Sequence, residues 1–211
     1  MRLFLIFLAV LSGISAARAQ QPGPPGRFDH YVLSLSWSPS YCEDHPDSRP
    51  QCDAIRPPGF VLHGLWPQYA DQGWPAVCAP AGSLPPALLG SMMDIMPSKG
   101  LISHEWKIHG TCSGLPAGEY FALARKAFAS VVIPPALTAP RHRVSLSIDD
   151  MAGLFAAANP GLRPDMIGTV CDGPNIAEVR LCLSRGLRPV SCGTPPPSRC
   201  QGGRGVLPVA R

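Results

Sequence analysis

A single domain of mixed strands and helices, stapled by disulfides, is the fold class that the sequence predicts. Three observations carry this. Alternating or apolar runs of strand type occur in both halves of the chain, and amphipathic stretches of helical spacing lie between and after them. Eight cysteines, from Cys42 to Cys200, all follow a leader-like N-terminus. The 211 residues show no internal repeat and no break in composition, which suits one core.

The N-terminus, MRLFLIFLAVLSGISAARAQ, sets Arg2 before an apolar run and small residues at Ala17 and Ala19. That is the pattern of a secretory signal peptide over residues 1–19. The apolar run is shorter than the ~20 residues that a membrane span needs, so a soluble, exported product is expected. QQPGPPG, residues 20–26, reads as a flexible lead, and 27–211 as the domain. An even number of cysteines in an exported chain implies four disulfides. Spacing alone does not assign the pairs, and the absence of any CxxC argues against zinc. The net charge of +4 includes Arg2 and Arg18 of the leader, so charge alone neither demands nor excludes a nucleic-acid partner.

FDHYVLSLSWSPSYC alternates, with Tyr31, Leu33, Leu35 and Trp37 able to share one face of a strand. EDHPDSRPQCDAIRPPG is a proline-broken loop that Cys42 and Cys52 could close. FVLHGLW, residues 60–66, predicts a buried strand with one histidine in it, and the following stretch to Ser83 a loop. PPALLGSMMDIM predicts a short helix over 85–96. Ser103 is placed to cap a helix that carries HEWKIH, with Gly110 ending it. GEYFALARKAFASVV has helical spacing at Tyr120, Leu123, Ala124 and Ala127. VSLS predicts a strand or turn before a helix over 149–158. MIGTVCD and AEVRLCLS predict strands joined by a DGPNI turn, and the tail is irregular.

HEWKIHGTC, residues 104–112, resembles the zinc-binding HExxH stretch at first sight. Its histidines, however, are His104 and His109, at i and i+5, roughly 140° apart on a helix, where a shared metal needs i and i+4. Glu105 and His109 are at i and i+4 and share a face, which suits acid–base work without a metal. A second histidine, His63, stands in an apolar strand ahead of Trp66, Tyr69 and Trp74. Two histidines would make an acid–base pair, and the rings beside them could stack a nucleobase.

FVLHGLWPQ and HEWKIHGTC together resemble the two active-site segments of the ribonuclease T2 family. FDHYVLSLSWSPSYC resembles its opening strand, and SLSIDDMAGLFAAANPGLRP with EVRLCL its C-terminal half. The resemblance spans about residues 27–200. It implies an α+β fold with a central antiparallel sheet and flanking helices. It implies an endoribonuclease that acts on single-stranded RNA without metal or cofactor. The A-x-A leader and the absence of sequons suit a periplasmic or secreted product, and a monomer with no membrane association is expected. Transposed by motif, His109 is the general base and His63 the general acid of transphosphorylation to a 2′,3′-cyclic phosphate. Hydrolysis to a 3′-phosphate follows. Glu105 assists the base and stabilises the pentacoordinate intermediate, and His104 binds phosphate. Trp66, Gln68 and Trp74 are expected at one base site, Pro97 and Ser98 at a second. The implied disulfides are Cys42–Cys52, Cys78–Cys112, Cys171–Cys200 and Cys182–Cys192.

The sequence departs from the family pattern at Ile108, where a lysine usually precedes the second histidine, and at Gln68, where an acidic residue often follows Trp-Pro. The alternative to an active nuclease is therefore a catalytically impaired member of the same fold that binds RNA or protein.

Overall fold

The computed structural model describes residues 22–49, 51–52, 59–71, 73–138, 140–192 and 198–209. The expected signal peptide, residues 1–19, lies outside the described residues, as do parts of the 43–59 loop and of the tail. The elements run in the order β1 (His30–Trp37), α1 (Ser38–Asp44), β2 (Phe60–Gln68), α2 (Pro86–Met92), α3 (Lys99–Ile108) and α4 (Ala117–Ala129). They continue with α5 (Pro135–Thr138), β3 (Val144–Ser147), α6 (Ile148–Ala158), β4 (Ile167–Asp172), β5 (Asn175–Ser184) and β6 (Arg204–Leu207).

The strands form one sheet in the order β2-β1-β5-β6-β3, with β4 also on β5. Among the described residues the ladders between these strands are antiparallel, except for the contact of Asn175 in β5 with Val206 in β6, which is parallel; an isolated parallel bridge also joins Val170 of β4 to Arg199. The fold is α+β. The alternation in β1 explains its two faces. Tyr31, Leu33, Leu35 and Trp37 enter the main core, where they meet Val179, Leu181 and Leu183 of β5, Tyr120, Phe121 and Ala124 of α4, and Phe155 of α6. The opposite face carries Val32, which joins Trp66, Cys182 and Cys192 in a small second cluster.

The disulfides are Cys42–Cys52, Cys78–Cys112, Cys171–Cys200 and Cys182–Cys192, the pairs that the resemblance implies. Several local expectations are corrected. Residues SPSYCED leave the strand and form α1, because Pro39 sits in its first turn, where a missing N–H costs nothing. The cap of α3 is Ser98, whose Oγ accepts from Leu101 N at 3.2 Å. Ser103 lies inside that helix and donates to Lys99 O at 3.0 Å.

Gly110 does not stop the chain turn either. A 3₁₀ turn, Gly110–Ser113, continues from His109, and the left-handed residue is Gly114, φ 77°. Helix α2 is shorter than expected. The tail is not wholly irregular, since β6 pairs with β3. The lead expected to be flexible is held at its end, where Gly26 N donates to Cys112 O at 2.9 Å.

Candidate active site

His63 owes its position to a defect in the ladder between β1 and β2. Ser34 pairs with Gly64 and Leu35 with Leu62, so His63 is the extra residue of a β-bulge. The bulge shifts the phase of β2: Phe60 and Leu62 face the main core before it, and Leu65 does so after it. His63 is thereby released from the core alternation and stays partly exposed, at 28% of its side chain. Trp66 then falls on the opposite face of the sheet, with Val32 and Cys182.

Gly64 is demanded by the same geometry. A Cβ there would collide with the Glu105 carboxylate and with Trp66 Nε1. Gly64→Ala is therefore expected to cost about 1–3 kcal/mol of stability as overpacking and to displace Glu105. Thermal unfolding would check the first effect and cleavage assays the second.

The described side chains around His63 come from three elements. Its Nδ1 is 2.6 Å from Glu178 Oε1 on β5. Its Nε2 is 3.7 Å from Glu105 Oε1 on α3. Trp66 Nε1 donates to Glu105 Oε2 at 2.6 Å. His109, at the C-terminal end of α3, lies with its ring 5.2 Å from that of Trp66, as does His63. The helix thus delivers Glu105 and His109 towards the sheet face, while Ile102 and Trp106 of the same helix enter the core. His104 and Lys107 are exposed.

Glu105 does not contact His109 in the way that their shared helix face suggests. Its two oxygens go instead to Trp66 and His63. The reason is local. An indole N–H is the donor that a fully buried carboxylate needs, and Glu105 is 1% exposed. His109 Nδ1 is buried and has no hydrogen-bond partner among the described residues.

The two imidazoles are consequently unlike. Burial disfavours a charge on His63, but the hydrogen bond and charge of Glu178, with the charge of Glu105, outweigh it and hold His63 above its ordinary pKa. At His109 burial acts first, then the positive charges of His63, His104 and Arg180, and together they press its pKa down to about 3. Burial also lifts Glu105 to about 7, against the pull of His63 and the Trp66 hydrogen bond.

The motifs do not point to Glu178, Arg180 or Ser34, yet all three belong here. Arg180 Nε donates to Glu178 Oε2 at 2.8 Å, and its guanidinium carbon is 4.9 Å from the centre of the Trp66 ring. The signal was two charges, Glu178 and Arg180, alternating with Val179 and Leu181 in an otherwise apolar strand. Burying charges on one strand face is costly unless they pair, and such expense marks a site.

The expected base-binding residues divide. Trp74 is 39% exposed and available for stacking. Trp66 is not a free stacking platform, because its ring is buried and flanked by His63, His109 and Arg180. Gln68, at the end of β2, is half-buried, and its Nε2 donates to the carbonyl of Pro67 at 3.0 Å. Pro97 is buried and Ser98 serves as the cap of α3. Among the described residues, no group of three or more His, Cys, Asp or Glu side chains is arranged to hold a metal, and no helix is long and apolar enough to cross a membrane.

Comparison with known proteins gives one consistent result. The model of the ribonuclease T2 family matches residues 28–192. A ribonuclease of Aeromonas hydrophila is 45% identical over 109 residues, 52% of this chain and 49% of that protein. A probable ribonuclease of Haemophilus influenzae is 34% identical over 149 residues, 64% of this chain and 52% of that one. The chain thus spans about half the length of these two relatives. Ribonuclease DdI of Dictyostelium discoideum is 29% identical over 212 residues, 88% of each chain. Among solved structures, an RNase-related protein from Calystegia sepium superposes with a TM-score of 0.68 at 20% identity, over 87% of this chain and 98% of that one. RNase NT, solved with 5′-AMP, gives 0.64 at 23% identity, over 86% and 98%.

Proposed function

The chain belongs to the ribonuclease T2 family, and from that premise we propose that it cleaves single-stranded RNA by transphosphorylation, with His109 as general base and His63 as general acid. One observation carries the division of labour. His63 Nδ1 faces a carboxylate, whereas His109 Nδ1 faces no acceptor among the described residues. The first arrangement favours an imidazolium and the second a neutral ring.

A neutral imidazole keeps one lone pair. With Nδ1 buried, the nitrogen that meets a ribose 2′-OH in this reading is Nε2 of His109, in the tautomer that keeps the ring proton on Nδ1. It takes the hydroxyl proton as the 2′ oxygen bonds to phosphorus. The bond from phosphorus to the 5′ oxygen breaks, and His63 gives its Nε2 proton to that leaving oxygen. The products are a 2′,3′-cyclic phosphate and a free 5′-OH. The histidines then exchange roles, as water opens the cycle to a 3′-phosphate. DNA lacks the 2′-OH and cannot enter the first step.

His104 is exposed near the end of α3 and binds the substrate phosphate. In this reading Glu105 serves the phosphate, not the base. It faces His63 Nε2 and, with a pKa of about 7, carries a proton for part of the neutral range, so it can donate to a phosphoryl oxygen as negative charge builds there. Trp74 and Gln68 line the base site in this reading. Four disulfides suit an oxidising compartment, and a periplasmic or secreted monomer is proposed.

Ile108 favours the second reading, a catalytically impaired RNA-binding member. Incubating the purified protein with RNA in excess EDTA separates the two. The nuclease gives 2′,3′-cyclic phosphate ends and leaves DNA intact. Binding without cleavage, or cleavage that EDTA abolishes, would sink the proposal.

A further inference from the structure

The carboxylate of Glu178 divides its two oxygens between different tasks. Oε2 is anchored to the sheet: it accepts from Ser34 Oγ on β1 at 3.1 Å, from Arg180 Nε at 2.8 Å, and is 2.7 Å from Arg180 Nη2. Oε1 is committed to His63 Nδ1 at 2.6 Å. A buried carboxylate needs partners on both oxygens. Arg180 and Ser34 meet that need on one side without His63, so the other oxygen is free to act as a rest for the ring. Ser34 pairs in register with both Arg180 and Gly64, which fixes the anchor directly beside the bulge that carries His63.

We propose that Glu178, clamped by Ser34 and Arg180, is a positioning residue for His63: it holds the ring with Nδ1–H towards β5, so that Nε2–H is presented to the leaving 5′ oxygen. This rests on His63 being the proton donor. In the cyclising step the Nε2 proton goes to the 5′ oxygen as its bond to phosphorus breaks. His63 becomes neutral, keeps Nδ1–H on Glu178, and recovers a proton at Nε2 from the water that opens the cycle. Glu178 remains a carboxylate throughout. The charged groups facing His63 are Glu178 and Arg180 from β5, Glu105 from α3 and His109 at the end of that helix. Of these, Glu178 touches Nδ1.

The test compares two substrates of Glu178→Gln: a dinucleoside phosphate, whose 5′ oxygen must be protonated to leave, and a nucleoside 3′-aryl phosphate, whose phenolate leaves without a proton. On the dinucleoside phosphate, kcat is expected to fall roughly tenfold to hundredfold, less than complete loss of a proton donor. KM should hold, and the high-pH limb of kcat/KM should move to lower pH. The aryl ester should lose little. Ser34→Ala removes one anchor and should lower kcat on the dinucleoside phosphate by less while sparing the aryl ester, which keeps the idea testable if Glu178→Gln does not fold. Equal losses on both substrates with an unmoved limb, or no loss at all, would overturn the positioning role. His63→Asn tests the premise separately: if it slows the two substrates equally, His63 is not the donor and the assignment fails on that ground instead.

Discussion

His109→Asn is expected to lower kcat/KM for RNA by roughly 10²–10⁴-fold, the usual contribution of a general base, with KM little changed. The same substitution is expected to make the protein more tolerant of acid. His109 has its pKa pressed down to about 3 in the fold, while an unfolded chain binds the proton near 6.5. Between those values the unfolded state holds more protons, so stability falls as pH drops from about 6.5 towards 3. Asparagine does not titrate and removes that loss, on the order of 4 kcal/mol at pH 3–4. Urea unfolding at neutral pH and at pH 3–4 measures it. A variant that is inactive yet has the parent's pH dependence of stability would refute the buried, neutral state of His109. The opposite signs of the two effects are informative, because a merely damaged fold would lose both.

Removing the Cys78–Cys112 bridge by serine at both positions is expected to cost roughly 3–4 kcal/mol. The bridge closes a loop with a sequence separation of 34, and it is the entropy of that loop that the unfolded chain regains. Activity should fall further than stability alone explains. Cys112 lies in the 3₁₀ turn directly after His109. Two other contacts bind the same segments: Val77 N donates to Ile108 O at 2.9 Å, and Cys78 N to Thr111 Oγ1 at 3.2 Å. With the bridge gone these two bonds, together with that from Trp106 Nε1 to Ala81 O at 2.7 Å, hold the His109 end of α3 to the loop that follows Trp74 among the described residues. Denaturant midpoints give the stability, and kcat measured well below the transition gives the rest. A loss under about 1 kcal/mol would show that the unfolded chain is already compact there.

Much of this architecture was legible because the deciding information is local. Period-two alternation in β1, the apolar runs of β2 and β5 and the spacing in α4 are properties of a few residues each. The histidines were legible for the same reason, since HEWKIH carries its own spacing. What was hidden depends on partners distant in sequence. The bulge at His63 exists only in the pairing of β2 with β1, and a one-residue change of register is invisible in FVLHGLW itself. Helical spacing set Glu105 beside His109, but Trp66 and His63 claim its oxygens from another element. Ser98 and Ser103 both offer a hydroxyl, and only the entry of the chain into α3 decides that Ser98 is the cap.

Ile108 illustrates the limit of motif reading in another way. The position lacks a cation, yet Arg180 brings a guanidinium over Trp66 from a different strand. Its charge acts on both His63 and His109. The electrostatics of such a site are a property of the assembled surface and not of one nonapeptide.

The bond between His63 and Glu178 joins positions 115 residues apart. Closing so long a loop is entropically late in folding, and β5 must already lie against β1 before its carboxylate can reach the bulge. A chain whose first half had collapsed before β5 docked would hold a histidine without its rest. Catalytic competence becomes a clock that starts only when the last third of the polypeptide has docked, and in a refolding experiment the recovery of turnover should lag the recovery of helical signal.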